Sequence, residues 1–225
     1  MKTAVLGTGT VGRTIGARMA ELGHTVTIGT RNPETTLSRT ANDAMGTSPF
    51  AAWAAENPGI ALAGFAEAAA GAELIVNATN GAASLDVLAQ AGAENLDGKV
   101  ILDLANPLDF STGMPPTLFV KDTDSLGEQI QRAFPGARVV KSLNTLNAGL
   151  MAHPDRLPEA GTVFVSGNDA AAKETVMGLL MEFGHRDVID LGDITTARGA
   201  EMLLPVWLRL WGALGTSEFN FKIIR

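Results

Sequence analysis

One segment constrains this chain more than any other. Residues Gly7, Thr8, Gly9, Thr10, Val11 and Gly12 fit the pattern G-x-G-x-x-G. They follow the apolar run at residues 3–6 and open a helical repeat of Val11, Ile15, Met19 and Leu22, which Gly23 ends. A glycine-rich turn alone says little, but one placed between a strand and a helix start has the form of a phosphate-binding turn. Gly7 makes the tight turn, Gly9 lets backbone approach a pyrophosphate, and Gly12, helped by Gly16, permits close helix–strand packing. The helix N-terminus adds unpaired N–H groups and the positive end of its dipole. Residues 7–12 are therefore the expected cradle of a nucleotide cofactor.

The alternation continues along the chain. Strands are expected at residues 25–29, 73–76, 100–104, 139–141, 162–165 and 187–191. Residues 33–58 read as a broken helix punctuated by Gly46, Pro49 and Pro58, and residues 109–116 as loop. Asn168 or Asp169 caps a helix that carries Ala172, Val176, Leu179, Leu180 and Phe183 on one face. The expected fold class is α/β: a Rossmann-type, doubly wound, mostly parallel sheet with a short C-terminal helical extension. A chain of 225 residues has no room for a large separate substrate domain as well, which disfavours a hydroxyacid dehydrogenase.

The end of the second strand selects the cofactor. An NAD site places a carboxylate about 20 residues after the glycines, accepting from the ribose 2′-hydroxyl. Here the sequence reads Gly29, Thr30, Arg31, Asn32, and the nearest acid is Glu34. The Thr30 hydroxyl and Arg31 guanidinium suit a 2′-phosphate, so NADP is expected. The competing reading of Arg31 is a solvated loop cation. Residues 1–167 then form the NADP-binding domain, and residues 168–225 an extension packed on it that contributes to the substrate pocket and to a dimer.

Composition narrows the partners. The net charge is -7 with no Lys/Arg run, against nucleic acid. There is no cysteine, which excludes disulfides and thiolate chemistry, and three scattered histidines make no metal site. There is also no tyrosine for a Ser–Tyr–Lys reductase set. The apolar stretch 200–214 is interrupted by Glu201 and Arg209 and is shorter than the roughly 20 residues of a membrane span. With no signal-peptide core at the start, a cytoplasmic protein is expected. The last helix, read at 195–214, carries Leu203, Leu204, Trp207, Leu208, Leu210 and Trp211, which cannot all face one sheet. It is either fully buried or shared across a homodimer, and the homodimer is preferred because large apolar surfaces mark interfaces.

Asparagines crowd the strand ends: Asn77, Asn80, Asn106, Asn144 and Asn147. Amides there suit the polar edge of a ring such as a flavin-like dione, and they also serve turns and caps. Asn144 and Asn147, with Asn106, are the expected lining of an acceptor pocket. Lys141 is expected at a partly exposed strand end, His24 as structural, His153 in an exposed loop and His185 at a helix C-terminus. No general acid stands out, so the catalytic group is unassigned. Hydride transfer to a conjugated acceptor needs orientation more than an acid.

The glycine turn, the Leu22-Gly23-His24 lead into Gly29-Thr30-Arg31, and the ending at residues 215–222 resemble the NADPH:coenzyme F420 oxidoreductases along essentially the whole chain. Residues 190–193 and 207–212 place the resemblance nearest the bacterial branch. The resemblance implies a dimer in which hydride passes between the NADP nicotinamide and the deazaflavin of F420. It implies that residues 8–12 hold the pyrophosphate and that Thr30 and Arg31 hold the 2′-phosphate. Asn77, Ala78 and Thr79 would border the ribose, and Ser142, Leu143, Asn144 and Thr145 the nicotinamide. The family's further lysine near the 2′-phosphate is Thr35 here, with Arg39 one turn on. Its histidine and proline beside the acceptor are Asn144 and Asn147. The expected function is NADP-dependent hydride transfer to a small redox acceptor, F420 first. The alternatives are an NADPH-dependent reductase of a flavin, imine or ketone, and a non-catalytic NADP sensor.

Overall fold

The computed structural model of the chain describes residues 1–42 and 46–225. Its strands are β1 (Lys2–Leu6), β2 (Thr25–Thr30), β3 (Ala61–Gly64), β4 (Leu74–Asn77), β5 (Val100–Asp103), β6 (Leu108–Asp109), β7 (Thr117–Leu118), β8 (Arg138–Ser142), β9 (Thr162–Gly167) and β10 (Asp187–Gly192). The helices are α1 (Thr10–Glu21), α2 (Pro33–Ser38), α3 (Phe50–Glu56), α4 (Phe65–Ala70), α5 (Ser84–Ala91), α6 (Ala93–Leu96), α7 (Leu126–Ala133), α8 (Ala148–Ala152), α9 (Ala170–Phe183), α10 (Ala197–Met202) and α11 (Leu204–Leu214).

Eight strands form one sheet in the order β10-β9-β8-β5-β4-β1-β2-β3, and β6 and β7 make a separate antiparallel ribbon. From β3 across to β8 every neighbour is parallel; β9 runs antiparallel to β8, and β10 follows β9. Strands buried on both faces need apolar residues at successive positions, and β1, β4 and β5 supply them. The order reverses between β1 and β4, so the crevice at the carboxyl ends of those strands is the ligand position of this architecture.

The two faces are packed separately. Ile15 and Met19 of α1, Leu150 of α8 and Val176 and Phe183 of α9 cover one. Phe65 of α4, Leu88 of α5 and Ile130 of α7 cover the other. A small third cluster joins Leu118 of β7 to Leu204 and Trp207 of α11, with Phe219 and Phe221 of the tail against it.

The doubly wound sheet matches the expectation, with differences in detail. β3 and α4–α7 were unread in the sequence. The expected broken helix at 33–58 becomes α2 and α3, and its residues 43–45 lie outside the described ones. The single last helix is divided into a 3-10 turn (Ile194–Thr196), α10 and α11. Pro205, in the first turn of α11, has no N–H to continue a ladder from α10 and sets that break. Beyond residue 167, α9 and β10 complete the edge of the sheet, and the 3-10 turn, α10, α11 and a non-helical tail follow from residue 194.

Candidate active site

The glycine turn sits at the carboxyl end of β1. Gly7 has φ 125°, in the left-handed region, and a Cβ there would lie 2.6 Å from the Ala78 carbonyl oxygen. A Cβ on Gly12 would lie 2.0 Å from the Gly7 oxygen. Both positions are closed to any side chain. Gly9 has open space around its Cα and is the N-cap of α1, with no side-chain hydrogen bond closing the cap and no acid in the first turn. The free N–H groups therefore face a site that an anion fits. Arg13, one turn in, donates to the Thr8 carbonyl (2.7 Å) and the Ser48 carbonyl (2.6 Å), with its guanidinium over the Phe50 ring. It ties the phosphate turn to the segment before α3 and brings a positive charge to it.

A cleft of about 440 Å³ opens beside this turn, lined by Thr8, Gly9, Arg13, Thr36, Ser38 and Arg39 among others. Arg31 is exposed just after β2. Thr30 is buried, and its hydroxyl is hydrogen bonded to that of Thr36 at 2.8 Å. It braces the β2–α2 turn, which Asn32 caps by accepting from the Thr35 N–H. The cations near this end are thus Arg31, Arg39 and Arg13. The expected Thr10 and Val11 form the first turn of α1.

At the carboxyl ends of the other strands, Asn106 and Asn144 are brought together, while Asn77, Asn80 and Asn147 bond to other residues, and most of the polar atoms of all five are occupied. Asn77 is fully buried: it donates to Asp103 and Ser84 and accepts from the Thr79 hydroxyl at 2.7 Å. What faces the crevice after β4 is Ala78 and Thr79. Asn106 and Asn144 exchange hydrogen bonds, Asn106 donating to the Asn144 carbonyl and Asn144 to the Asn106 amide oxygen. Asn144 also donates to the Ala200 carbonyl at 3.0 Å. Asn147 caps α8 through Leu150 N–H and donates to the Ser217 carbonyl at 2.6 Å, fastening the C-terminal tail. Asn80 caps the 3-10 turn after β4. Leu143, buried at φ 59°, holds the backbone between β8 and Asn144 in a strained turn.

Lys141 corrects the expectation of a partly exposed strand end. It is completely buried, with its ammonium 2.8 Å from Asp103 and 2.9 Å from Glu201, and it also donates to the Ala105 carbonyl. Burial alone pushes its pKa down; the two carboxylates outweigh burial and hold it above the ordinary lysine range. Glu201 accepts in addition from the Leu126 and Gly127 N–H groups at the start of α7. Asp103 and Glu201 were not singled out from the sequence. The available signal was a charge enclosed by apolar residues, in Val100–Asp103 and around Glu201.

His24 bridges the N-terminal amine and Glu182, and His185 is buried against the Met151 carbonyl, which leaves its pKa lowered by burial. Neither lies at the carboxyl edge. Among the described residues no group of side chains could hold a metal ion.

The sheet order and the glycine cradle define a dinucleotide-binding protein of the Rossmann type. Residues 2–107 match the family described as NADP oxidoreductase, coenzyme F420-dependent. A solved structure from Arthrobacter sp. FB24, described as a candidate F420-dependent NADP reductase, is 65% identical, with TM-score 0.96 and complete coverage of both chains. The F420-dependent NADP reductase of Methanocaldococcus jannaschii is 27% identical over 118 residues, 52% of this chain and 52% of the relative. Metalloreductase STEAP3 of Rattus norvegicus is 26% identical over 212 residues, 92% of this chain but 38% of the relative. The matches thus span about half or less of these two curated relatives. The chain belongs to the F420-dependent NADP oxidoreductase family.

Proposed function

We propose that this protein transfers hydride between NADPH and a small redox acceptor, with coenzyme F420 as that acceptor. The observation that carries the cofactor half is the open N-terminus of α1 beside the end of β2, where Thr30 is followed by the exposed Arg31 and where Arg39 lines the neighbouring cleft. NADPH supplies the hydride when bound. Residues 7–12 would hold its pyrophosphate, and Arg31 with Arg39 its 2′-phosphate. Ala78 and Thr79 would border the ribose, as family resemblance implies. The acceptor half rests on the family and on the placement of Asn106, Asn144 and Asn147 just after β5 and β8, at the carboxyl edge of the sheet.

In this reading the chain works by placement. Asn144 has its amide nitrogen fixed by Asn106 and Ala200, and its amide oxygen takes no donor among the described residues. In this reading that oxygen would accept from an N–H of the acceptor, held by the two bonds that fix the amide. Asn147 fixes the tail through Ser217, and in this reading the extension at residues 168–225 would contribute to the pocket through that tail and α10. We also infer a homodimer through the outward face of α11, and a cytoplasmic location. No helix among the described residues is long and apolar enough to cross a membrane.

The test is NADPH oxidation by the purified protein with F420, FMN, riboflavin, and a set of imines and ketones in separate reactions. Turnover with F420 far above the rest supports the reading. Faster turnover of an imine, a ketone or a flavin would transfer the function to that class. Tight NADPH binding with no turnover on any acceptor would leave a redox sensor.

A further inference from the structure

The buried charge set is one half of a two-rung arrangement. Asn106 lies three positions after Asp103 at the end of β5, and Asn144 three positions after Lys141 at the end of β8. Asp103 pairs with Lys141 in one rung, and Asn106 with Asn144 in the other. Both rungs then engage consecutive residues of α10: Lys141 the Glu201 carboxylate, Asn144 the Ala200 carbonyl. On the cofactor side the first rung continues through Asn77 to Thr79. Glu201 meanwhile holds the first two N–H groups of α7.

A closed circuit of this kind has a specific mechanical consequence. The loops after β4, β5 and β8 all meet at the carboxyl edge, where ligands bind in this architecture. The ends of β5 and β8 cannot shift relative to α10 without breaking a buried charged hydrogen bond, and the loops that follow them are tied to each other and to α10 by the amide bonds of Asn106 and Asn144; such bonds are costly to leave unmade. The ends of β1 and β2, where the phosphates would bind, are outside the circuit. We propose that Lys141 and Glu201 are positioning residues: they set the distance and angle between the nicotinamide and acceptor halves of the site, without touching either ligand. This rests on the hydride-transfer reading above.

It predicts a split between binding and transfer. Hydride transfer demands near-attack geometry, and a displacement of about 1 Å costs up to a hundredfold in rate. Affinity for NADPH, set mainly at the phosphate end, is expected to change little.

The experiment compares wild type, Glu201→Gln and Lys141→Met. NADPH titration follows nicotinamide fluorescence and anisotropy, and kcat and KM with F420 are measured in parallel. Glu201→Gln keeps the Lys141–Asp103 pair and an amide oxygen for α7, so it gives an answer even where Lys141→Met fails to fold. Thermal melts identify that case. In the folded variants NADPH Kd is expected to stay near the wild-type value. Bound-nicotinamide anisotropy should fall, and kcat should drop by about tenfold to a hundredfold. Unchanged anisotropy and kcat in folded Glu201→Gln would overturn the proposal while leaving the hydride-transfer reading intact. So would a rise in Kd with kcat unchanged. Failure of the wild type to bind NADPH would instead remove both.

Discussion

Single residues in this site divide into those free to meet a ligand and those spent on the protein. Thr30 and Arg31 are adjacent in sequence and opposite in this respect. The Thr30 hydroxyl is committed to Thr36, whereas the Arg31 side chain stands in solvent at the end of β2. Arg31→Ala should therefore weaken NADPH by about tenfold to a hundredfold, the worth of a charge-assisted hydrogen bond of roughly 1.5–3 kcal/mol. NADH, lacking the 2′-phosphate, should be nearly unaffected. Equilibrium titration of both nucleotides checks this, and equal losses would place Arg31 outside the phosphate site. The glycine turn was legible because its signal is local: strand, turn and helix are contiguous, and Gly12 answers the Gly7 carbonyl inside the motif, even though the neighbour that closes Gly7 is Ala78 after β4. The Lys141 circuit was not legible. Its members come from β5, β8 and α10, and nothing in the sequence near Lys141 names its partners. The same holds for the asparagines, whose positions after strands were readable while their mutual hydrogen bonds were not.

Among the elements, α7 depends most on capping and on charge. Ser125 and Glu128 form a reciprocal cap, with the Ser125 hydroxyl donating to the carboxylate and accepting from the Glu128 N–H. Arg198 of α10 then grips Glu128 with two hydrogen bonds of 2.8 and 2.6 Å. Ser125→Ala should cost about 1 kcal/mol, a fall in Tm of about 2–4 °C for a chain this size. Acid should loosen the same junction. Arg198 is the main cause holding Glu128 below the usual glutamate value of 4.5, and the hydrogen bond from Arg132 holds Asp124 at about 2 against an ordinary 3.8. Carboxylates depressed in the fold contribute stability above their unfolded pKa and lose it as pH falls through the folded one. The contribution should therefore be complete near neutrality and decline from about pH 4.5 toward about pH 2. Amide exchange in α7 across that window reads it out; protection unchanged down to pH 2 would contradict the assignment. α7 was unread in the sequence because its one apolar face, Leu126 and Ile130, is too short a repeat to announce a helix. The Ala-rich stretch holding β3 and α4 has so little polar contrast that neither period could emerge.

For the whole molecule, the decisive surface is the one α11 leaves uncovered. Leu204 and Trp207 face inward onto the ribbon and the tail, and this satisfies only half of an apolar helix. Around it Met114 is 66% exposed, Val206 50%, Trp211 39% and Leu214 56%. Isolated apolar residues at a surface are ordinary, whereas apolar residues grouped around one helix suit an interface, and Met114 and Trp211 line one groove together with Leu208. The tail fastened by Asn147 and the ribbon next to α11 connect this face to the acceptor end of the crevice. A homodimer through α11 would brace the helical wall on which the clamp of Lys141 and Glu201 acts, joining assembly to catalysis. A stable contact of this type buries about 800 Å² per partner, and charge at its centre should abolish it. Sedimentation of the wild type is expected to give twice the 23.4 kDa chain mass. Trp211→Glu with Val206→Glu should give the single mass, with the NADPH affinity of the distant glycine turn preserved. A wild type that sediments as a monomer at micromolar concentration would refute the dimer and leave this face to a different partner. A double variant that still pairs would move the interface elsewhere.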